Sequence, residues 1–174
     1  MTPPTVLPTT LNTLSKTDFV ARLGGIFESS PWVAERVYPK RPFGDVLGLH
    51  AAMCQEVAAA GEAAQLKLIR AHPDLAGKAA LAGELTAASS AEQAGAGLGR
   101  LNAEEYRRFH DLNSRYRERF GFPFILAVKG HDKTSILAAF EARLPNDVDT
   151  ERETALGQIY NIARLRLLAL TEAP

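Results

Sequence analysis

Between Asn102 and Gly121 the chain carries Tyr106, Phe109, Leu112, Tyr116 and Phe120 at steps of three and four residues. That spacing puts all five on one face of an α-helix, whereas a strand would scatter them over both of its faces. Asn102 with Glu105 reads as a capping box and Gly121 as a left-handed stop, so both ends of the helix are set locally. A long helix with an aromatic stripe needs other apolar faces to cover it, and the rest of the sequence supplies them in the same way. Ser15 with Asp18 opens a helix whose stripe of Phe19, Leu23, Ile26 and Phe27 is expected to run past Gly24-Gly25. Ser30-Pro31 is a cap followed by proline at the first helical position, and the helix through Trp32 and Val37 stops at Pro39. Arg41-Pro42-Phe43-Gly44 reads as a turn. Asp45 caps a helix from Val46 to about Ala60, ended by Gly61, and a further helix over Glu62 to Ala71 is ended by Pro73. Asp74 reads as the N-cap of a short helix over 75–82. Asp132 to Leu144 forms another, and Thr150 is expected to cap a last helix through Leu170. Met1 to Thr10 reads as an extended or frayed lead-in.

One stretch breaks the pattern. Phe122-Pro123-Phe124-Ile125-Leu126-Ala127-Val128 has no helical period, and no second strand is present to pair with it. It therefore reads as an irregular buried segment whose backbone groups need partners from elsewhere. The expected fold is all-α: a single-domain bundle of about eight helices with this one irregular segment. At 174 residues the chain can bury a substantial core as one domain.

Charge excludes several function classes. Lys plus Arg equals Asp plus Glu at 20 each, so no global field draws the protein to nucleic acid or to a membrane surface. Arg107, Arg108, Arg115, Arg117 and Arg119 alternate with Glu104, Glu105, Asp111 and Glu118, which describes a solvated helix face. No apolar run approaches the roughly 20 residues of a membrane span. The N-terminus lacks a basic-then-apolar signal pattern, and Thr171 to Pro174 carry no Ser-Lys-Leu peroxisomal address. Cys54 alone cannot form an internal disulfide and reads as a small buried hydrophobe suited to a reducing cytosol. The expectation is a cytoplasmic protein without a nucleic-acid or membrane partner.

Chemistry concentrates between Arg70 and Gln93. Pro73 pushes His72 out of the α region, so the preceding helix delivers that imidazole at its end, with the ring free to face a cavity. A group with an ordinary pKa near 6.5 is suited to moving protons at neutral pH; the plainer reading is a histidine capping its own helix. Ser89 or Ser90 as N-cap would place Glu92 and Gln93 in the first turn of the next helix, where unpaired N–H groups favour anions. Glu92 could equally be a solvated first-turn glutamate. On the last helix Arg166 shares the face of Leu156, Ile159, Ile162, Ala163 and Leu170, while Arg164 points elsewhere. An arginine on such a face needs a carboxylate such as Glu92, or an acidic ligand, unless it snorkels to solvent.

Two other classes compete. His72, His110-Asp111 and Asp132 follow the order of donors in all-α metal-dependent phosphohydrolases, but His110 lies mid-helix and Asp132 suits an N-cap. A non-catalytic helical binding module, with the small-residue surface as its patch, is the second. No phosphate-binding glycine loop and no serine elbow occur.

The chain resembles the OHCU decarboxylase family, whose substrate is 2-oxo-4-hydroxy-4-carboxy-5-ureidoimidazoline (OHCU), a product of urate breakdown. The matching pieces are Phe27-Glu28-Ser29-Ser30-Pro31-Trp32, Arg41-Pro42-Phe43, Ala71-His72-Pro73-Asp74-Leu75, Ser89 with Glu92-Gln93, Phe120-Gly121-Phe122-Pro123-Phe124, and Ile162-Ala163-Arg164-Leu165-Arg166-Leu167. They run in order through nearly the whole chain. The resemblance implies an all-α homodimer that needs neither metal nor organic cofactor and yields (S)-allantoin and CO2. It implies catalytic roles for His72, Glu92 and Arg166. It places Pro73, Ser89, Ser90, Ala91 and Gln93 at the substrate, together with Phe124, Ile125, Leu126, Ala127 and Val128. Activity that needs a neutral His72 is expected to fall as pH drops through about 6.5.

Overall fold

The computed structural model describes residues 9–172. Among the described residues there are ten α-helices and no strand, so the chain is all-α. The helices sort into two compact units, residues 9–71 with 160–172 and residues 72–159.

The first unit holds α1 (Thr9–Thr13), α2 (Lys16–Leu23), α3 (Trp32–Val37), α4 (Val46–Ala59), α5 (Glu62–Arg70) and the second half of α10 (Val148–Glu172). Ser15 caps α2 as the sequence predicts, accepting from the Asp18 amide at 3.1 Å. The helix stops at Leu23, however, and Ile26 and Phe27 are buried from a turn. Gly24 permits this: a Cβ there would lie 2.6 Å from the Val20 carbonyl and 3.3 Å from Pro31. Ser30 does not cap α3. Its hydroxyl donates to the Glu28 carbonyl at 2.8 Å, and Pro31 takes the cap position. Pro39 ends α3 in a single 3-10 turn, Tyr38–Lys40.

The expected lead-in also needs correction. Met1 to Pro8 lie outside the described residues, but Thr9 and Thr10 belong to α1, and Leu11 is 1% exposed. The cause lies far along the chain. The Asn12 amide donates to the Phe43 carbonyl and accepts from the Phe43 N–H, both at 2.9 Å. Arg41 donates to the carbonyls of Asn12 and Leu14 at 3.0 and 2.8 Å, with its guanidinium over the Tyr38 ring. The Arg41–Gly44 turn therefore pins α1. In α4, capped by Asp45 as expected, Val46, Leu49, Met53 and Val57 face inward. His50 Nε2 donates to the Tyr160 carbonyl of α10 at 2.8 Å. Cys54 is half-buried 3.4 Å from that same nitrogen, and burial pushes its thiol up to about 11.

The second unit contains α6 (Lys78–Leu81), α7 (Ala87–Gly95), α8 (Ala103–Phe120), α9 (Lys133–Arg143) and the first half of α10. The aromatic stripe of α8 is its centre. Tyr116 packs edge-on against Phe122, Phe124 and Phe140 with ring centroids 6.0, 5.3 and 6.3 Å away. Its hydroxyl donates to Glu151 at 2.5 Å, and burial, followed by that hydrogen bond, raises the Tyr116 pKa. Glu151 is fully buried and also accepts from Arg143 Nε at 2.6 Å and from Asn146 at 3.0 Å. The first-turn cap of α10 is Asp147, not Thr150: its carboxylate accepts from the Thr150 amide and hydroxyl, each at 2.8 Å, and these bonds lower its pKa.

Residues 122–128 are irregular, and Phe122, Phe124, Ile125 and Val128 are buried, as the sequence predicts. Side chains supply the partners that a sheet would have given. Arg143 Nη1 donates to the Ile125 carbonyl at 2.6 Å, and the Ala127 amide donates to Gln158 at 2.9 Å.

Candidate active site

α5 ends at Arg70, and His72 follows in a loop that runs to Gly77, where α6 begins. Proline after His72 forces that exit. The imidazole is 6% exposed, so it does not sit in solvent as a surface cap. Pro73 is half-buried.

The rest of the loop is gripped by helices of the second unit. Gln93 on α7 accepts from the Ala76 amide at 3.0 Å and donates to the Asp74 carbonyl at 3.2 Å. Asn113 on α8 donates to the Leu75 carbonyl at 2.8 Å. Arg117, one turn further along α8, donates through Nε to both Asp74 carboxylate oxygens at 2.8 and 3.1 Å. Asp74 is therefore not a helix cap; α6 covers only Lys78–Leu81 and starts from Gly77. The tightness of the bend explains why. Ala76 has φ 52°, and a Cβ on Gly77 would lie 2.7 Å from the Asp74 Cβ.

Thr86, not Ser89 or Ser90, caps α7 by accepting from the Ser89 amide at 3.2 Å. The helix starts earlier than expected because threonine caps as serine does, with two alanines behind it. Ser89 thus lies in the first turn and is buried, while Glu92 falls in the second turn and is half-buried. Ser90 and Ala91 are exposed, and Gln93 is 6% exposed with both ends of its amide engaged by the loop. The loop that carries His72 and the helix that carries Glu92 are thereby joined through Gln93. In the irregular segment Phe124, Ile125 and Val128 are buried and Leu126 and Ala127 half-buried; the Ala127 amide is engaged by Gln158.

Arg166 belongs to the first unit and does not snorkel. Its side chain is 8% exposed and pairs with Glu28, itself 3% exposed, at 2.8 Å; it also donates to the Gly25 carbonyl at 3.0 Å. Arg164 is exposed. The sequence did not mark Glu28 as the partner of Arg166. Its signal was present only as a glutamate inside a short run that otherwise reads as a turn and a helix start.

His110 and Asp111 are exposed in the middle of α8, and Asp132 caps α9 by accepting from the Ser135 amide at 2.8 Å. Among the described residues no three His, Cys, Asp or Glu side chains come together as a metal-binding group. The donor order that suggested a phosphohydrolase is thus not a cluster in space.

The loop that follows His72 is thus tied to the helix that bears Ser89, Glu92 and Gln93. The family model described as OHCU decarboxylase matches residues 12–168. The 2-oxo-4-hydroxy-4-carboxy-5-ureidoimidazoline decarboxylase of Haloferax volcanii is 47% identical over 157 residues, covering 90% of this chain and 91% of its own. That of Halalkalicoccus jeotgali is 44% identical, covering 92% and 89%. A crystal structure of (S)-allantoin synthase superposes with a TM-score of 0.75 at 32% identity, over 93% of this chain and 53% of that one. This chain belongs to the OHCU decarboxylase family.

Proposed function

We propose that the protein decarboxylates 2-oxo-4-hydroxy-4-carboxy-5-ureidoimidazoline to (S)-allantoin and CO2, with His72 as the proton-transfer group and no cofactor. The observation that carries this reading is the buried imidazole of His72 in a loop fixed by Gln93 of the helix that also bears Glu92.

The substrate explains why a protein with only ordinary side chains is sufficient. Loss of CO2 leaves an electron pair that usually needs a cofactor as its sink. Here the carbon that loses CO2 adjoins a ring C=N bond. As the C–C bond breaks, the pair forms a C=C bond and the C=N electrons pass to nitrogen, which takes a proton. The hydroxyl then gives up its proton and becomes a carbonyl, while the neighbouring carbon gains one. The net change is one proton taken up and one CO2 released. Placement on one face of that carbon sets the product's handedness. What the protein adds is rigid positioning and a proton relay.

In this proposal neutral His72 takes the hydroxyl proton. Glu92 orients the ring or assists in the proton movement, and its charge disfavours a nearby substrate carboxylate, which helps to expel CO2. Ser89 offers a hydroxyl from the first turn of α7, where helix N–H groups also favour anionic oxygen. The role assigned to segment 124–128, of which Phe124, Ile125 and Val128 are buried, rests on the family resemblance. A homodimeric state and a cytoplasmic location are part of the same proposal and rest on the family resemblance.

Purified protein, treated with a chelator and mixed with freshly generated OHCU, is expected to remove the substrate faster than its spontaneous decay. The rate is expected to fall towards acidic pH, because protonation of the imidazole removes the base. No acceleration, or a flat profile from about pH 5 to 8, would contradict the reading.

A further inference from the structure

We infer that Asn113 is a positioning residue for the decarboxylation, acting on His72 through the loop rather than on the substrate. The inference rests on the reading of His72 as the proton-transfer group.

Asn113 occupies a place that the helix pattern reserves for an apolar side chain. It follows Leu112 on the inward side of α8, between Phe109 and Tyr116, and is 5% exposed. Its Nδ2 donates to the Leu75 carbonyl at 2.8 Å, while its Oδ1 accepts no hydrogen bond from the described residues. A buried amide whose oxygen is left unpaired destabilises a core relative to a hydrocarbon of similar shape. The bond it does make falls on the loop that carries His72. That bond holds the peptide three residues after His72, in a bend where Ala76 already has φ 52°. A left-handed alanine persists only when its surroundings hold it. Gln93 fixes the groups on either side of the Leu75 carbonyl, and Arg117 fixes the Asp74 carboxylate from one turn along α8. Of these anchors only Asn113 comes from the buried face of α8 and binds main chain. Without it the loop loses the hold between the two Gln93 bonds, and the imidazole loses its fixed approach. Misplacement by about 1 Å can cost on the order of 100-fold in rate.

The experiment compares Asn113→Leu and Asn113→Ala with the wild type for kcat, KM and thermal unfolding, alone and combined with His72→Ala. The expected result for Asn113→Leu is a kcat lower by roughly 100-fold, an unchanged KM, and a Tm within about 4 °C of wild type. In the His72→Ala background the same change is expected to have no further effect, because its route to the chemistry is already gone. A folded Asn113→Leu with wild-type kcat would overturn the inference, as would a raised KM at unchanged kcat or an undiminished loss on top of His72→Ala. If the leucine is too bulky to fold, the smaller Asn113→Ala is read by the same criteria. Failure of both to fold would make the residue structural and overturn the inference too. Turnover that survives His72→Ala would instead overturn the proton-transfer reading itself.

Discussion

Replacing His72 by alanine is expected to lower kcat on OHCU by about 10²–10⁴-fold, the usual share of a positioned acid or base, while the helical CD spectrum stays as it is. The size of the loss follows from the absence of a substitute in the proposal. The electron pair has its sink within the substrate, so proton transfer is the main chemical service left to the protein. The survival of the fold follows from where the loop is anchored. Gln93 and Asn113 engage the main chain at Asp74, Leu75 and Ala76, and Arg117 engages the Asp74 carboxylate. Those bonds persist without the imidazole, and Pro73 still ends the preceding helix. Near-normal turnover of a folded His72→Ala protein would remove His72 from the mechanism.

The second large effect concerns stability. Glu151→Ala is expected to destabilise the protein by about 3–5 kcal/mol, because it leaves the Arg143 guanidinium without its carboxylate in a buried setting. At roughly 2–4 °C per kcal/mol for a chain of this size, Tm should fall by about 10 °C. Glu151 is fully buried and joins Tyr116, Arg143 and Asn146; Arg143 is only 11% exposed and holds the Ile125 carbonyl. Loss of the carboxylate therefore loosens the irregular segment as well as the pair. Glu151→Gln, which keeps an acceptor oxygen, is expected to lose less. Thermal unfolding followed by CD checks both variants, and an unchanged Tm for Glu151→Ala would show that the buried pair contributes little.

What could be read from the sequence was what neighbours in sequence decide. The caps at Ser15, Asp45, Asn102 and Asp132 and the stop at Gly121 each depend on groups within one helical turn, and all are as expected. The helical period also placed Arg166 on a buried face correctly. Errors arose where residues within about one helical turn of each other could serve the same local role. Thr86 caps α7 in place of the serines, Asp147 caps α10 in place of Thr150, and Ser30 bonds backward to Glu28. A larger class of misses came from partners far away. Asp74 looks like a helix cap until Arg117, 43 residues later, takes its carboxylate. Glu28 and Arg166 give no sign of each other across the intervening chain. Asn12 and Phe43 likewise meet only because the fold brings them together, and that contact turns an expected frayed end into α1. The resemblance to the OHCU decarboxylases carried the functional reading through these gaps, because its motifs are spread along the whole chain.

The handedness of the product tests the central claim most directly. Spontaneous decay of OHCU delivers the last proton to either face of the ring carbon, whereas a fixed relay delivers it to one. Freshly generated OHCU mixed with the protein should therefore develop the circular dichroism of (S)-allantoin, with an enantiomeric excess that rises with enzyme concentration. Allantoin that forms without optical activity, at the rate of the uncatalysed reaction, would contradict the account.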